Sequence, residues 1–321
     1  MKVIKLSYPI TQKLTASPVV LALGFFDGVH LGHQRLIGKA HEIAKQRNLP
    51  LMVLTFDRHP KEIYQHDENF KYLDSPDEKR YEMAALDVDY LVIAQFTTGF
   101  SHLPPQAFVD NVIVKLQAQI VVAGFDYTYG PKNVANMAHL ADFARHRFEI
   151  VSLPEQTFNG HKIGSTKIRQ ALRQGQLEIA TQMLGHPYLM SGTIVHGLRN
   201  GHRLGFPTMN LKSDIRKVVP KVGVYATKTK FDGQWYPSMT SVGYNVTIGQ
   251  PSKIYIESHL FGFDQETYGQ EMTIAWYHYL RGEIKFDRLE DLKKQMLDDQ
   301  KQVEAYFAQD VAAQAKDSKK D

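Results

Sequence analysis

The hydrophobic pattern of this chain changes character once, near residue 185, and that change constrains the fold more than any other feature. Before it, apolar runs at residues 19–23, 51–56, 90–96, 120–125 and 148–153 read as strands, with helical spacing between them. One helix is expected over about residues 34–46, and another is announced by Ser75-Pro76-Asp77-Glu78. There Ser75 can cap, Pro76 takes the first turn and Glu78 completes a capping box. Strand and helix in alternation imply a parallel sheet covered on both faces, with ligands at the carboxyl ends of its strands.

After Gly185-His186-Pro187 the helical periodicity largely stops. Residues 194–195, 223–231, 235–242, 254–261 and 272–280 read as strands, and Asp232-Gly233 is a two-residue hairpin signal. The alternation Met272, Ile274, Trp276, His278, Leu280 suggests a small antiparallel barrel. Past Phe286 the pattern turns helical to about residue 315, giving one closing helix before a polar end that is expected to fray from about residue 316. Two domains are therefore expected, residues 1–185 and 186–321, which suits a length of 321 residues.

Composition narrows the function classes. The absence of cysteine excludes a disulfide framework and any thiolate metal site. No leader-like start is visible and no run reaches about eighteen apolar residues, so a soluble cytoplasmic protein without membrane contact is expected. The net charge of +4 is small and dispersed, which fits anionic small molecules at least as well as nucleic acid. No nucleic-acid partner is expected.

The segment Gly24-Phe25-Phe26-Asp27-Gly28-Val29-His30-Leu31-Gly32-His33 follows the first apolar run and opens a helix. Glycines let backbone approach an anion, a helix N-terminus offers unpaired N–H groups, and His30 and His33 add donors. Such a site suits a triphosphate, with Gly24, Asp27, Gly28 and Gly32 shaping the loop; the bland alternative is two histidines that cap or pack. Polar clusters follow other strands too, at Asp57-Arg58-His59-Pro60 and at Asp126-Tyr127-Thr128-Tyr129-Gly130. Ser165-Thr166-Lys167-Ile168-Arg169 opens a further helix, where Ser165 or Thr166 can cap and Lys167 and Arg169 can face a phosphate.

In the second half, Gly205-Phe206-Pro207-Thr208-Met209-Asn210 allows tight backbone around a ligand. Thr208 and Asn210, two apart on an extended segment, offer hard oxygens to one side, a plausible Mg²⁺ environment when nucleotide phosphates join them. A glycine-rich turn with surface polar residues is the alternative. Glu257, flanked by apolar residues on a strand, is the candidate base, since desolvation would raise its pKa; a solvated strand carboxylate is the commoner alternative. His59 and His259 carry weaker signals, and Tyr255, Trp276 and Tyr277 read more readily as packing residues.

With these segments in hand, the chain resembles the bacterial bifunctional riboflavin kinase/FAD synthetase family over nearly its whole length. Residues 24–33 are similar to that family's adenylyltransferase signature, and Thr55-Phe56-Asp57-Arg58-His59-Pro60 to its Thr-Phe-Glu-Pro-His-Pro. Gly124-Phe125-Asp126 with Tyr129-Gly130 resembles its third loop, and Ser165-Thr166-Lys167-Ile168-Arg169 its Ser-Ser-Thr-x-Ile-Arg element. Gly205 to Asn210, Gly223-Val224-Tyr225-Ala226, and Ile256-Glu257 with Tyr268-Gly269 match the flavokinase half.

The resemblance implies a Rossmann-like nucleotidylyltransferase domain followed by a flavokinase-like barrel. It implies ATP-dependent phosphorylation of riboflavin to FMN, with Glu257 as base and Mg²⁺, Thr208 and Asn210 on the ATP phosphates beside Gly205 and Pro207. It further implies adenylylation of FMN to FAD with release of pyrophosphate. There His30, His33, Ser165, Thr166 and Arg169 would stabilise phosphates and Asp126 would help place ligand or metal. His59 and Arg281 are weaker flavin-binding candidates. Departures stand at Asp57, Arg58, Gly164, His202 and in Ser241-Val242-Gly243-Tyr244-Asn245-Val246-Thr247. Rival readings are a protein that keeps one of the two activities, an inactive flavin- or RNA-binding regulator, and a tRNA synthetase-like enzyme. Oligomeric state is not legible.

Overall fold

The computed structural model describes residues 1–158, 160–197, 205–244, 254–263, 265 and 267–317. His202, residues 245–247 of the departing segment and the last four residues lie outside them. Cα packing forms two compact units, Met1–Tyr72 with Pro76–Ser165, and Leu73–Ser75 with Thr166–Asp321.

The first unit holds β1 (Lys2–Leu6), β2 (Val19–Leu23), β3 (Leu51–Phe56), β4 (Tyr90–Ala94), β5 (Ala118–Gly124) and β6 (Glu149–Leu153) in one parallel sheet of order β1-β4-β3-β2-β5-β6. Every residue of β2 and β3 is buried, so both sheet faces are covered and the strands read as continuous apolar runs. One core layer gathers Val20, Ala22 and Val53 under Leu36, Ile37 and Ala40 of α1 (Leu31–Arg47); the opposite layer gathers Leu21, Leu54 and Val121. β1 was not expected. Its Lys2-Val3-Ile4-Lys5-Leu6 is mostly exposed at the sheet edge, where lysines mask the apolar signal while guarding against edge pairing.

Chain order reverses between β2 and β5, so the loops that follow these two strands open at the topological switch point of the sheet. Short helices α2 (Pro60–Tyr64), α3 (Pro76–Ala85), α4 (Thr98–Ser101), α5 (Pro105–Phe108) and α6 (Leu140–Ala144) fill the connections. A small hairpin, β7 (Thr157–Phe158) and β8 (His161–Lys162), closes the unit.

The second unit starts with α7 (Ser165–Gln174), whose first residue belongs to the first unit, and α8 (Leu177–Leu184). Then come β9 (Tyr188–Val195), β10 (Met209–Ser213), β11 (Gly223–Phe231), β12 (Gln234–Tyr244), β13 (Ile254–Leu260) and β14 (Glu271–Arg281), an antiparallel closed barrel of order β10-β13-β12-β11-β14-β9. β9 is longer than the expected 194–195, because Ser191, Gly192 and Thr193 carry no apolar signal. The C-terminal helix, Leu289–Asp317, packs Val303 and Phe307 against Val224 and Met239.

Five fully buried hydroxyls sit inside the barrel and bond in a closed ring. Thr227 meets Ser238 at 2.8 Å, Ser238 meets Thr229 at 2.9 Å, Thr229 meets Ser258 at 2.8 Å, and Thr240 joins Ser258 at 3.0 Å and Thr227 at 2.7 Å. A hydroxyl both donates and accepts, so a ring satisfies every member without water and ties β11, β12 and β13 together. Among the described residues no helix is long and apolar enough to cross a membrane.

Candidate active sites

The loop between β2 and α1 is unusually contorted. Phe26 and Val29 adopt positive φ at 53° and 25°, and Gly28 does so at 80°. The Phe26 ring occupies the space a Cβ on Gly24 would need, so the glycine is required by packing. Asp27 is buried, and its carbonyl accepts a 2.8 Å hydrogen bond from Ser165 Oγ.

His30 is the N-cap of α1. Its Nδ1 accepts from the His33 backbone N–H at 3.3 Å, which places the ring proton on Nε2 in the neutral form. The two imidazoles stack at 3.6 Å between centroids and 15° between planes, and His33 also meets the Phe26 ring edge-on at 5.2 Å. Gly32 lets this happen, since a Cβ there would lie 3.2 Å from the His30 ring. Part of His33 reaches solvent, but its Nδ1 is enclosed without a hydrogen-bond partner. Burial holds the His33 pKa well below the ordinary imidazole value, with His30 and Lys79 adding to the effect. His30 is therefore a helix cap, and His33, stacked on it, is an imidazole that burial holds toward its neutral form.

Other expected residues of this unit fall in varied settings. His59 caps α2, stacks on Phe70 at 4.1 Å and meets Phe25 edge-on at 4.8 Å. Asp126 is exposed and paired with Lys162 at 2.5 Å, and Lys162 also reaches Glu155 at 3.2 Å. Asp57, one of the departures, accepts from the Phe96 N–H at 2.8 Å and so ties the ends of β3 and β4. At Gly164 a Cβ would meet nothing within 4 Å, so a serine there is sterically allowed. Thr166 and Arg169 lie on α7 within the second unit, Arg169 being buried.

The barrel carries a pocket of about 280 Å³ lined by Thr208, Tyr255, Glu257, His259 and Arg281, with apolar walls from Met239, Val242, Leu292 and Met296. That is close to the lower end of ligand pockets, roughly 300–1,000 Å³. Thr208 Oγ1 makes a long 3.4 Å hydrogen bond to Glu257 Oε2. Burial raises the Glu257 pKa and the Thr208 donor partly opposes it. His259 Nδ1 bonds the Pro207 carbonyl at 2.7 Å, while Gly205 is exposed with φ 83°. Asn210 pairs with Glu257 across β10 and β13, is buried, and has an enclosed Oδ1 with no hydrogen-bond partner. A Cβ on Gly197 would overlap the Asn210 amide.

Comparison with known proteins agrees with both halves. The FAD synthetase family profile matches residues 12–167, and the riboflavin kinase profile matches residues 184–307. The bifunctional riboflavin kinase/FMN adenylyltransferase of Listeria monocytogenes is 45% identical over 310 residues, 96% of this chain and 99% of that protein. The chain belongs to the bifunctional riboflavin kinase/FMN adenylyltransferase family. The family's Bacillus subtilis enzyme is 37% identical over 314 residues, again 96% of this chain and 99% of that protein. A crystal structure from Streptococcus pneumoniae, described as a macrolide-efflux protein, aligns with a TM-score of 0.86 at 32% identity, covering 93% of this chain and 98% of that one.

The barrel pocket also holds residues that no motif in the sequence marked. Asp299 lines the kinase-half pocket from the C-terminal helix and takes Arg281 in a double hydrogen bond, with Nη2 to Oδ2 at 2.6 Å and Nε to Oδ1 at 2.9 Å. The available signal was its spacing, since Leu292, Met296, Asp299 and Val303 share one helix face and an acid in an apolar stripe needs a partner. Tyr255 lines the pocket, whereas Trp276 is fully buried as expected for packing.

Proposed function

We propose that the barrel pocket phosphorylates riboflavin with ATP to give FMN, and that the His30/His33 loop adenylylates FMN with a second ATP to give FAD and pyrophosphate. The observation that carries the first assignment is a carboxylate, Glu257, held in a partly apolar pocket with its pKa raised by burial. A base of raised pKa accepts the proton of the attacking ribityl hydroxyl more readily, while its neighbours orient it. Thr208 bonds Glu257 and lines the same pocket.

Asn210 Oδ1, an enclosed acceptor without a hydrogen-bond partner, and Thr208 Oγ1 suit a hard cation such as Mg²⁺ arriving with the nucleotide. When bound, that ion would neutralise charge on the phosphates. Gly205 and Pro207 lead the chain into this position, and Arg281, which lines the pocket, is assigned to the flavin.

For adenylyl transfer, the β2 and β5 loops at the switch point offer His30, His33, Gly24, Gly28, Gly32, Asp27 and Asp126. At a helix N-terminus both imidazoles can donate hydrogen bonds to triphosphate oxygens, and burial favours the neutral form of His33. The FMN phosphate is then the nucleophile, and Ser165, Thr166 and Arg169 are assigned to the leaving pyrophosphate, with His59 at the flavin. On this reading residues 1–185 carry adenylyl transfer and residues 186–321 the kinase. The partners are small molecules in the cytoplasm, and no nucleic acid is needed.

Incubation with riboflavin, ATP and Mg²⁺, with flavins separated over time, tests the assignment. Riboflavin passing to FMN and then to FAD, with chelation of Mg²⁺ stopping both steps, is the expected result. Absence of both conversions, with added FMN also untouched, would overturn it.

A further inference from the structure

The carbonyl of Phe25 takes two hydrogen bonds from side chains. Thr55 Oγ1, on β3, donates to it at 2.7 Å, and Lys79 Nζ, from α3, donates at 3.0 Å. The same ammonium lies 4.5 Å over the centre of the Phe25 ring, which also meets the His59 ring at 4.8 Å and the Tyr72 ring at 6.1 Å. Lys79 is only 9% exposed and shares the inward face of α3 with Met83, four residues on. An aliphatic residue would pack there at lower cost, since lysine is almost never fully buried without partners.

What Lys79 grips is the start of the contorted loop. Phe26 and the β-branched Val29 hold positive φ there, conformations that persist only when surrounding contacts over-determine them. From Phe25 the chain runs through Phe26, whose ring touches His33, to His30, which caps α1. A shift of the Phe25 carbonyl would therefore travel directly into both imidazoles.

We propose that Lys79 is a positioning residue for adenylyl transfer, fixing the Phe25 carbonyl and ring so that residues 24–29 keep the conformation that presents His30 and His33 to the triphosphate. The inference rests on the assignment of that loop to the adenylyltransferase reaction. Lys79 also faces the stacked histidines electrostatically; the groups acting on His33 are His30 and Lys79, and the ammonium helps keep His33 uncharged.

The test uses the full chain as Lys79→Met, Lys79→Arg and His33→Gln, measuring FAD formed from FMN across pH, with FMN formed from riboflavin as the control for folding. Lys79→Met should lower kcat for FAD formation about tenfold to a hundredfold with less change in the KM for ATP. Lys79→Arg should recover most of that loss. Removing the positive charge lets His33 take a proton at higher pH, so the acid limb of the Lys79→Met profile should move upward and that of Lys79→Arg should stay. Should Lys79→Met lose the kinase reaction and its fold, Thr55→Val, which removes the other donor, replaces it and should show a smaller fall in the same kcat. Wild-type kcat in Lys79→Met, or in Thr55→Val where it is the substitute, overturns the inference, as does an equal loss in Lys79→Arg with an unmoved acid limb. Full FAD synthesis by His33→Gln would instead defeat the assignment of the loop.

Discussion

Asn210 and Glu257 stand directly opposite each other across β10 and β13, one a buried amide with an enclosed, partnerless oxygen, the other a carboxylate lifted in pKa by burial. Antiparallel pairing places opposed Cβ atoms about 4.5–5.5 Å apart, so the two side chains leave the sheet as neighbours on the same face. The chain keeps Gly197 against the Asn210 amide because no Cβ fits there. Gly197→Ala should therefore displace Asn210 and lower kinase kcat/KM about a hundredfold, leaving FAD formation from added FMN intact. Equal loss of both reactions in a folded Gly197→Ala protein would count against separate sites.

With Glu257 as the proposed base, its titration should set the pH behaviour of the kinase reaction. Its folded pKa lies above the ordinary 4.5, so the acid limb of the kinase profile should lie above that value. Thr208→Val removes the donor that lowers this pKa and should push the limb higher still. A raised folded pKa means the associated stability is complete below the unfolded value and is lost as pH rises through the folded one. Glu257→Gln should then be more stable than the parent at pH 7, with the gain disappearing below about pH 4.5. Denaturant titrations at the two pH values measure this, and a gain that persists in acid would contradict it.

His33 has the opposite sign. Its folded pKa is depressed below 6.5, so the unfolded chain binds the proton first as pH falls. Stability is complete above about pH 6.5 and declines as pH drops toward the folded value. His33→Gln should flatten that decline in thermal unfolding followed between about pH 7 and pH 5. An unchanged slope would show that His33 is not buried neutral.

Arg281 and Asp299 form a charge pair in which the acid has no exposed surface. Arg281→Met leaves the buried Asp299 carboxylate without its charge partner, bonded among the described residues only to the Gln295 amide, at a cost of about 3–5 kcal/mol. Replacing both, with Arg281→Met and Asp299→Leu together, should recover most of that stability without restoring flavin phosphorylation. Denaturation midpoints of the single and double variants separate the two contributions.

The sequence made the architecture legible because both halves bury their strands in characteristic ways. β2 and β3 are buried at every residue, and β3 and β11 have the expected bounds, whereas in β14 the expected alternation gives way to Ile274, Ala275 and Trp276 buried in succession. β1 and most of β9 escaped because lysines, serine, threonine and glycine carry their exposed or closely packed positions. The histidine pair, Glu257 and Thr208 stood out as candidates from motif and spacing, and the structure stacks His30 on His33 and puts Thr208 and Glu257 in one pocket. Lys79 and Asp299 were not singled out, because their roles come from packing between segments distant in sequence, Lys79 to Phe25 and Asp299 to Arg281.

One assay reaches the central claim that two separate sites perform two successive transfers. Riboflavin, FMN and FAD are followed by chromatography for the parent protein, Glu257→Gln and His33→Gln, each supplied in turn with riboflavin or FMN plus ATP and Mg²⁺. The parent should make FMN and then FAD; Glu257→Gln should lose about 10²–10⁴-fold in FMN formation yet convert added FMN at the parental rate, and His33→Gln should stall at FMN. A folded single variant that loses both reactions together, or Glu257→Gln that still phosphorylates riboflavin at full rate, would contradict the account.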